Sequence, residues 1–282
     1  MNMNMKKPRI LPGRFAAHRR AALSGLGLSA LLLPDAVAAE ILVTVRNLAP
    51  AAGTYLTPVW VAFHDGTFDL FNAGNSASAG LEQLAEDGNP SGLATAFAGG
   101  GHGTTAGLIF SGGAIPPFAP GDLGAMTFSV NPFDPMNRYL SFASMVIPSN
   151  DAFIANGDPL MIPVFDGGGG FLGGTYTIFG SMVWDAGTEV NDELPANTAF
   201  FGQATPDTGA PENGVVALHT GFLAPGQGGI LDDPMFAGAD FTQAGYAVAE
   251  ITVSVVPEPQ TYAAVVALGL LGFAGWRRWR KS

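Results

Sequence analysis

Three acidic clusters carry the residue types that can do chemistry in this chain. The first, Phe63-His64-Asp65-Gly66-Thr67-Phe68-Asp69-Leu70-Phe71, sets a histidine beside a turn dipeptide. It reads as a hairpin or strand exit, with His64 exposed or satisfied by hydrogen bonds. The second, Ile147-Pro148-Ser149-Asn150-Asp151-Ala152-Phe153, follows a strand-like run that Pro148 ends. The third, Val183-Trp184-Asp185-Ala186-Gly187-Thr188-Glu189-Val190-Asn191-Asp192-Glu193, places two acids four apart, with Gly187 between them to let the backbone turn. Calcium takes about six to eight oxygens, mostly carboxylate and carbonyl. Two strand-end loops supply such a set if they lie at one rim; otherwise these acids do ordinary turn chemistry. A hydrolase working on polysaccharide through paired carboxylates is the rival use. It needs two acids about 5–10 Å apart, and in so acidic a chain such a pair carries little information.

Other catalytic signatures are weak. The sequence contains no Gly-x-Ser-x-Gly and no His-Glu-x-x-His, and His18, His64, His102 and His219 are scattered. Gly101-x-Gly103-x-x-Ala106 loosely matches a dinucleotide fingerprint but lacks the strand before it and the helix after it.

The elements that must position these loops read as strands. Ile41–Leu48 alternates apolar and polar residues; Val59–Phe63, Met126–Val130, Tyr139–Ile147, Thr175–Trp184, Val215–Thr220 and Tyr246–Val255 continue the series. One short helix is expected at Gly80–Gly88, where Leu81, Leu84 and Ala85 share a face and Gly88 stops the turn. Ala98–Gly113 and Asp166–Gly174 read as glycine-rich loops. About seven strands, one helix and long loops imply an all-β sandwich.

Charge divides the chain into three. From Glu40 to Val256 there are two basic residues, Arg46 and Arg138, against twenty-one acidic ones, a formal charge of −19. Such a domain is a poor nucleic-acid binder and attracts divalent cations. It contains no cysteine, so packing and bound ions must stabilise it.

Both ends are basic and adjoin apolar runs. Residues 1–39 have a basic start, the apolar stretch Ala21–Leu33 and small residues after Pro34, the pattern of a secretory signal helix cut by signal peptidase after Ala38 or Ala39. Residues 257–282 begin Pro257-Glu258-Pro259, continue as an apolar stretch from Tyr262 to Trp276 and end in Arg277-Arg278-Trp279-Arg280-Lys281-Ser282. This is the layout of a short transmembrane helix with a cytoplasmic basic end. The tail resembles the PEP-CTERM sorting signal. That resemblance implies a Gram-negative source, transient anchoring in the inner membrane, cleavage by an exosortase and delivery to a polysaccharide-rich cell surface or extracellular matrix.

The middle, residues 40–256, resembles a spondin domain. The likeness rests on Arg138-Tyr139-Leu140-Ser141-Phe142-Ala143-Ser144-Met145-Val146-Ile147-Pro148-Ser149-Asn150-Asp151 with Trp184-Asp185-Ala186-Gly187-Thr188-Glu189. Pro58–Gly66 and Leu81–Gly88 are similar to bacterial members. The resemblance implies an antiparallel eight-stranded β-sandwich like calcium-dependent lipid-binding domains. It also implies calcium held by Asp151, Asp185 and Glu189, the last a glutamate where the animal pattern has aspartate. Asn150, Asn191 and Asp192 are auxiliary ligands to consider. The expected protein is a non-catalytic, calcium-binding adhesion or matrix module, with matrix or polysaccharide as partner and no nucleic acid.

Overall fold

Ile41, Val43 and Val45 alternate with Leu42, Thr44 and Arg46, so the first strand buries one side chain in two. By contrast Val59-Trp60-Val61-Ala62-Phe63-His64 is buried at every position, which requires cover on both faces of its sheet. The computed structural model satisfies both demands. It describes residues 38–112, 117–206 and 208–257, and in the C-terminal tail Leu270, Phe273, Trp276, Arg277, Trp279 and Arg280. The elements in order are β1 (Ala39–Asn47), β2 (Tyr55–Leu56), β3 (Val59–His64), α1 (Ala79–Asp87), α2 (Ser91–Gly100), β4 (Thr105–Ile109), β5 (Leu123–Val130), β6 (Tyr139–Ile147), β7 (Ala152–Ala155), β8 (Gly174–Phe179), β9 (Trp184–Asp185), β10 (Ala217–Leu218) and β11 (Ala247–Val255).

The chain is mostly β, and every strand pair is antiparallel. One sheet has four strands in the order β5-β1-β11-β8; the other runs β10-β9-β7-β6-β3-β4, with β2 paired to β6. Among the described residues there are thus eleven strands. Three of them, β2, β9 and β10, are two residues long, leaving eight of four residues or more. Inward side chains of both sheets, among them Ile41, Val43, Phe128 and Ile251 from one and Val61, Phe63, Phe142 and Ile154 from the other, form one buried cluster. The opposite face of the larger sheet, with Trp60, Ala62 and Phe153, is covered by Leu81 and Leu84 of α1 and by Leu93 and Phe97 of α2. Fully burying a side chain of this kind contributes about 1.5–3 kcal/mol.

Helix α1 lies where its periodicity places it. Ser78 Oγ accepts from the Leu81 N–H at one end, and Gly88, at φ 64°, closes the other in the left-handed region. Two readings need correction. Helix α2 was not expected, because its Gly and Ala content hides a two-residue apolar face, Leu93 and Phe97. Residues 105–109, read as part of a glycine-rich loop, are β4, paired with β3 from Val59↔Ile109 to Phe63↔Thr105.

The run Thr175–Trp184 also divides. Its first part is β8 on the four-stranded sheet and its last residue, Trp184, is in β9 on the other, joined through a 3-10 turn at Gly180–Met182. A Cβ on Gly180 would stand 1.8 Å from the Phe241 carbonyl oxygen, so only glycine lets the chain cross here.

Residues 1–37 of the expected signal segment 1–39 lie outside the described residues, and so does most of the expected membrane helix. Ala39 already pairs with Val130 in β1 and β5, and the Val256 N–H donates to the Glu40 carbonyl. Leu270, Phe273, Trp276, Arg277 and Trp279 are helical. Among the described residues no helix is long and apolar enough to cross a membrane.

Gly180→Ala is expected to cost about 3 kcal/mol or more, since the blocking atom is a backbone carbonyl that cannot rotate away. Urea denaturation measures it; a midpoint within error of wild type would show that the crossing tolerates a side chain.

Candidate functional site

Two of the three acidic clusters are neighbours because their strands are. β7 lies between β6 and β9, and the register sets Ala152 opposite Asp185. Before β7 the chain turns sharply. The Ile147–Pro148 peptide is cis, and Ser149 Oγ donates to the Val146 carbonyl at 2.5 Å while accepting from the Ala152 N–H at 3.1 Å. Asp151 therefore stands at the mouth of β7, facing the chain as it leaves β9.

Asp151 organises that chain. Its Oδ2 accepts from the Thr188 N–H at 2.8 Å, the Thr188 hydroxyl at 3.1 Å and the Glu189 N–H at 3.1 Å. Its carbonyl accepts from the Ala186 N–H at 3.2 Å. Its other carboxylate oxygen, Oδ1, is buried and has no hydrogen-bond donor. Burial, reinforced by the charge of Asp185, raises the Asp151 pKa to about 6 against the pull of the Thr188 and Glu189 hydrogen bonds.

Asp185 is half-buried. Its Oδ1 accepts from the Gly187 N–H at 2.7 Å, an Asx turn, and its Oδ2 from Asn191 Nδ2 at 2.6 Å. Gly187 has φ 67°, and a Cβ there would stand 2.6 Å from the Val215 carbonyl oxygen, so the turn requires glycine. The longer arm of Glu189 is used: buried itself, it carries Oε1 to the Gly209 N–H at 2.7 Å and ties down a loop twenty residues on.

The backbone thus brings the two loops together, while the three carboxylates face different donors. Among the described residues no group of three or more His, Asp or Glu side chains is spaced to hold a metal ion. Of the auxiliary residues, Asn191 joins Asp185, whereas Asn150 donates to the Asn197 carbonyl and Asp192 accepts from the Leu194 N–H and Asn197 Nδ2. Sequence reasoning missed Thr188 and Gly209 as partners. Gly209 acts through its backbone N–H alone, which carries no residue-type signal, and Thr188 adds its hydroxyl to its N–H.

The first cluster is structural. His64 is fully buried at the end of β3; its Nδ1 accepts from the Gly66 N–H at 3.0 Å, so Nε2 carries the proton and donates to Ser141 Oγ at 3.0 Å. Asn156 Nδ2 donates to the same oxygen at 3.1 Å. A histidine that donates to a serine cannot take its proton, so this pair is not a nucleophile with its base.

Residues 48–157 match the family model described as Spondin_N. The match spans β2 to β7 and includes Asp151; Asp185 and Glu189 lie beyond it. No curated protein matches the chain.

Burial lowers the His64 pKa from 6.5 to about 4, with Asp65 opposing the shift and His102 assisting it. Between those values the unfolded chain binds a proton that the native state refuses, so this residue withdraws stability as pH falls from 6.5 towards 4. The loss is about 2–3 kcal/mol. Asp151 acts in the opposite sense, because its pKa is raised. The effect is therefore read as the difference in melting temperature between wild type and His64→Gln at pH 7 and pH 4.5. Parallel losses in the two proteins would dismiss His64 as the cause.

Proposed function

We propose that this is an exported, non-catalytic adhesion or matrix module in which calcium binds at Asp151, Asp185 and Glu189 and fixes the loops at that end of the fold. The observation that carries the reading is the buried, donorless Oδ1 of Asp151 beside the carboxylate of Asp185. A buried carboxylate beside a second, half-buried one, with no basic side chain bonded to either among the described residues, is costly, and a hard cation offsets that cost. The donor set is all oxygen, which suits calcium, with carbonyls and water completing the shell. Binding would set calcium against the N–H groups that the carboxylates accept from, so ion affinity and loop order are linked.

The match to the spondin domain over residues 48–157 supports the adhesion and matrix reading, since that domain is of the extracellular type. The basic and apolar ends support export through signal peptidase, transient inner-membrane anchoring and exosortase sorting to a Gram-negative cell surface or matrix. The hydrolase alternative has less behind it. Asp151 has the raised pKa of a general acid, yet its side chain is fully buried, out of reach of a glycosidic oxygen in this structure.

In calcium at about a hundredfold excess over its dissociation constant the native state gains about 2.7 kcal/mol, several degrees in melting temperature. Asp185→Asn should abolish most of that gain. Asp151→Asn should abolish it too, yet melt no lower than wild type in EDTA, because the amide oxygen keeps the three donors and the buried charge is gone. Equal melting of the wild type in calcium and in EDTA would refute the proposal.

A further inference from the structure

A second site lies where the chain crosses between the sheets. A cavity of about 510 Å³ opens beside Gly180, with a volume in the range of small-molecule pockets. Its inner wall is buried: Gly180, His219, Phe241 and Tyr246. Its rim is exposed: Phe179, Ser181 and residues 242–245.

His219 is the informative residue. Its Nδ1 accepts from the Gly221 N–H at 3.0 Å, so the neutral ring carries its proton on Nε2. That Nε2–H is buried, and among the described residues no atom accepts it. Phe222 and Phe241 stand edge to face with the ring at 5.8 and 5.2 Å, and a π face is at best a weak acceptor. A buried donor left this way is unfavourable unless something entering the cavity accepts from it.

The rim has the opposite polarity. Thr242 Oγ1 donates to Asp240 Oδ1 at 2.6 Å, and Gln243 Nε2 donates to Asp240 Oδ2 at 2.5 Å. Asp240 thereby engages the Thr242 hydroxyl proton and one of the two Gln243 Nε2 protons, leaving Thr242 Oγ1 and Gln243 Oε1 as acceptors and the second Nε2–H as a donor. The Tyr246 hydroxyl is engaged by Thr54, so Tyr246 offers its ring alone. No lining side chain is charged, and the nearby Asp185 and Asp240 are both acidic, which repels an anionic ligand. A cation would find the Nε2–H donor turned against it.

We infer that this cavity binds a neutral, hydroxyl-rich ring with one apolar face, a neutral sugar residue. A hydroxyl or ring oxygen accepts from His219 Nε2–H, further hydroxyls donate to Gln243 Oε1 and Thr242 Oγ1, and the C–H face lies on Phe179 and Phe241. None of the proposed calcium ligands lines this cavity; Asp185 acts on it through charge alone, and titration in EDTA keeps its test apart from the calcium reading.

The test is saturation-transfer NMR and calorimetric titration of the full chain in EDTA with methyl glycosides of glucose, galactose, mannose and N-acetylglucosamine, and with glucuronate as the charged control. At least one neutral glycoside is expected to bind while glucuronate does not, with the His219 Nε2 nitrogen resonance shifting on titration. Ser181→Trp, which fills the mouth from an exposed position, should weaken binding about tenfold or more, and Gln243→Ala about threefold or more, with melting temperature held. If Ser181→Trp fails to fold, Gln243→Ala carries the test. Absence of binding by every neutral glycoside at tens of millimolar, equal binding of glucuronate, or an unchanged affinity in Gln243→Ala would each overturn the assignment and leave the cavity to water.

Discussion

Two ends of neighbouring strands are joined through one carboxylate oxygen. Oδ2 of Asp151, at the start of β7, takes three donors from Thr188 and Glu189 beyond β9. The pairing Ala152↔Asp185 would bring the strands together without it, but the loop after Asp185 would have no reason to turn back. From that turn follow the Asx closure by Asp185, the left-handed Gly187 and the reach of Glu189 to Gly209. The same geometry is expensive, because it leaves Oδ1 of Asp151 buried beside a second acid. Loop order and a buried oxygen without a donor are two consequences of one contact.

The acidity of the domain has a second explanation that does not involve metal. Asp65, Asp134, Asp158, Asp166, Asp192, Asp233 and Asp240 each accept a backbone N–H a few residues away. With long loops and almost no lysine or arginine, short carboxylates do the work of turn closure. Asp151 differs from all of these: its partners are thirty-seven and thirty-eight residues distant. Glu193 also accepts from distant backbone, the Leu223 and Ile230 N–H groups thirty and thirty-seven residues on, so what sets Asp151 apart is its donorless Oδ1 beside Asp185.

Gly180 links the two halves of the functional argument. Its close approach to Phe241 lets the chain leave the four-stranded sheet after β8 and join the other as β9, carrying Asp185 to Asp151. The same crossing opens the cavity that His219 lines. Both sites therefore depend on one backbone contact that tolerates no side chain.

Local pattern was enough for several features. The alternation of β1, the largely apolar runs of β3 and β6, and the face and caps of α1 are legible because each depends on residues within a turn or two. The choice of Asp151, Asp185 and Glu189 came from a family likeness in their motifs; spacing alone left ordinary turn chemistry open. Tertiary structure decided what depends on distant partners. It made β4 out of a glycine-rich stretch, divided Thr175–Trp184 between two sheets, and buried His64 and His219 with opposite outcomes. One histidine has Ser141 as acceptor and the other has none. No sequence window contains that difference, because a buried donor is satisfied or stranded by whatever the fold packs against it.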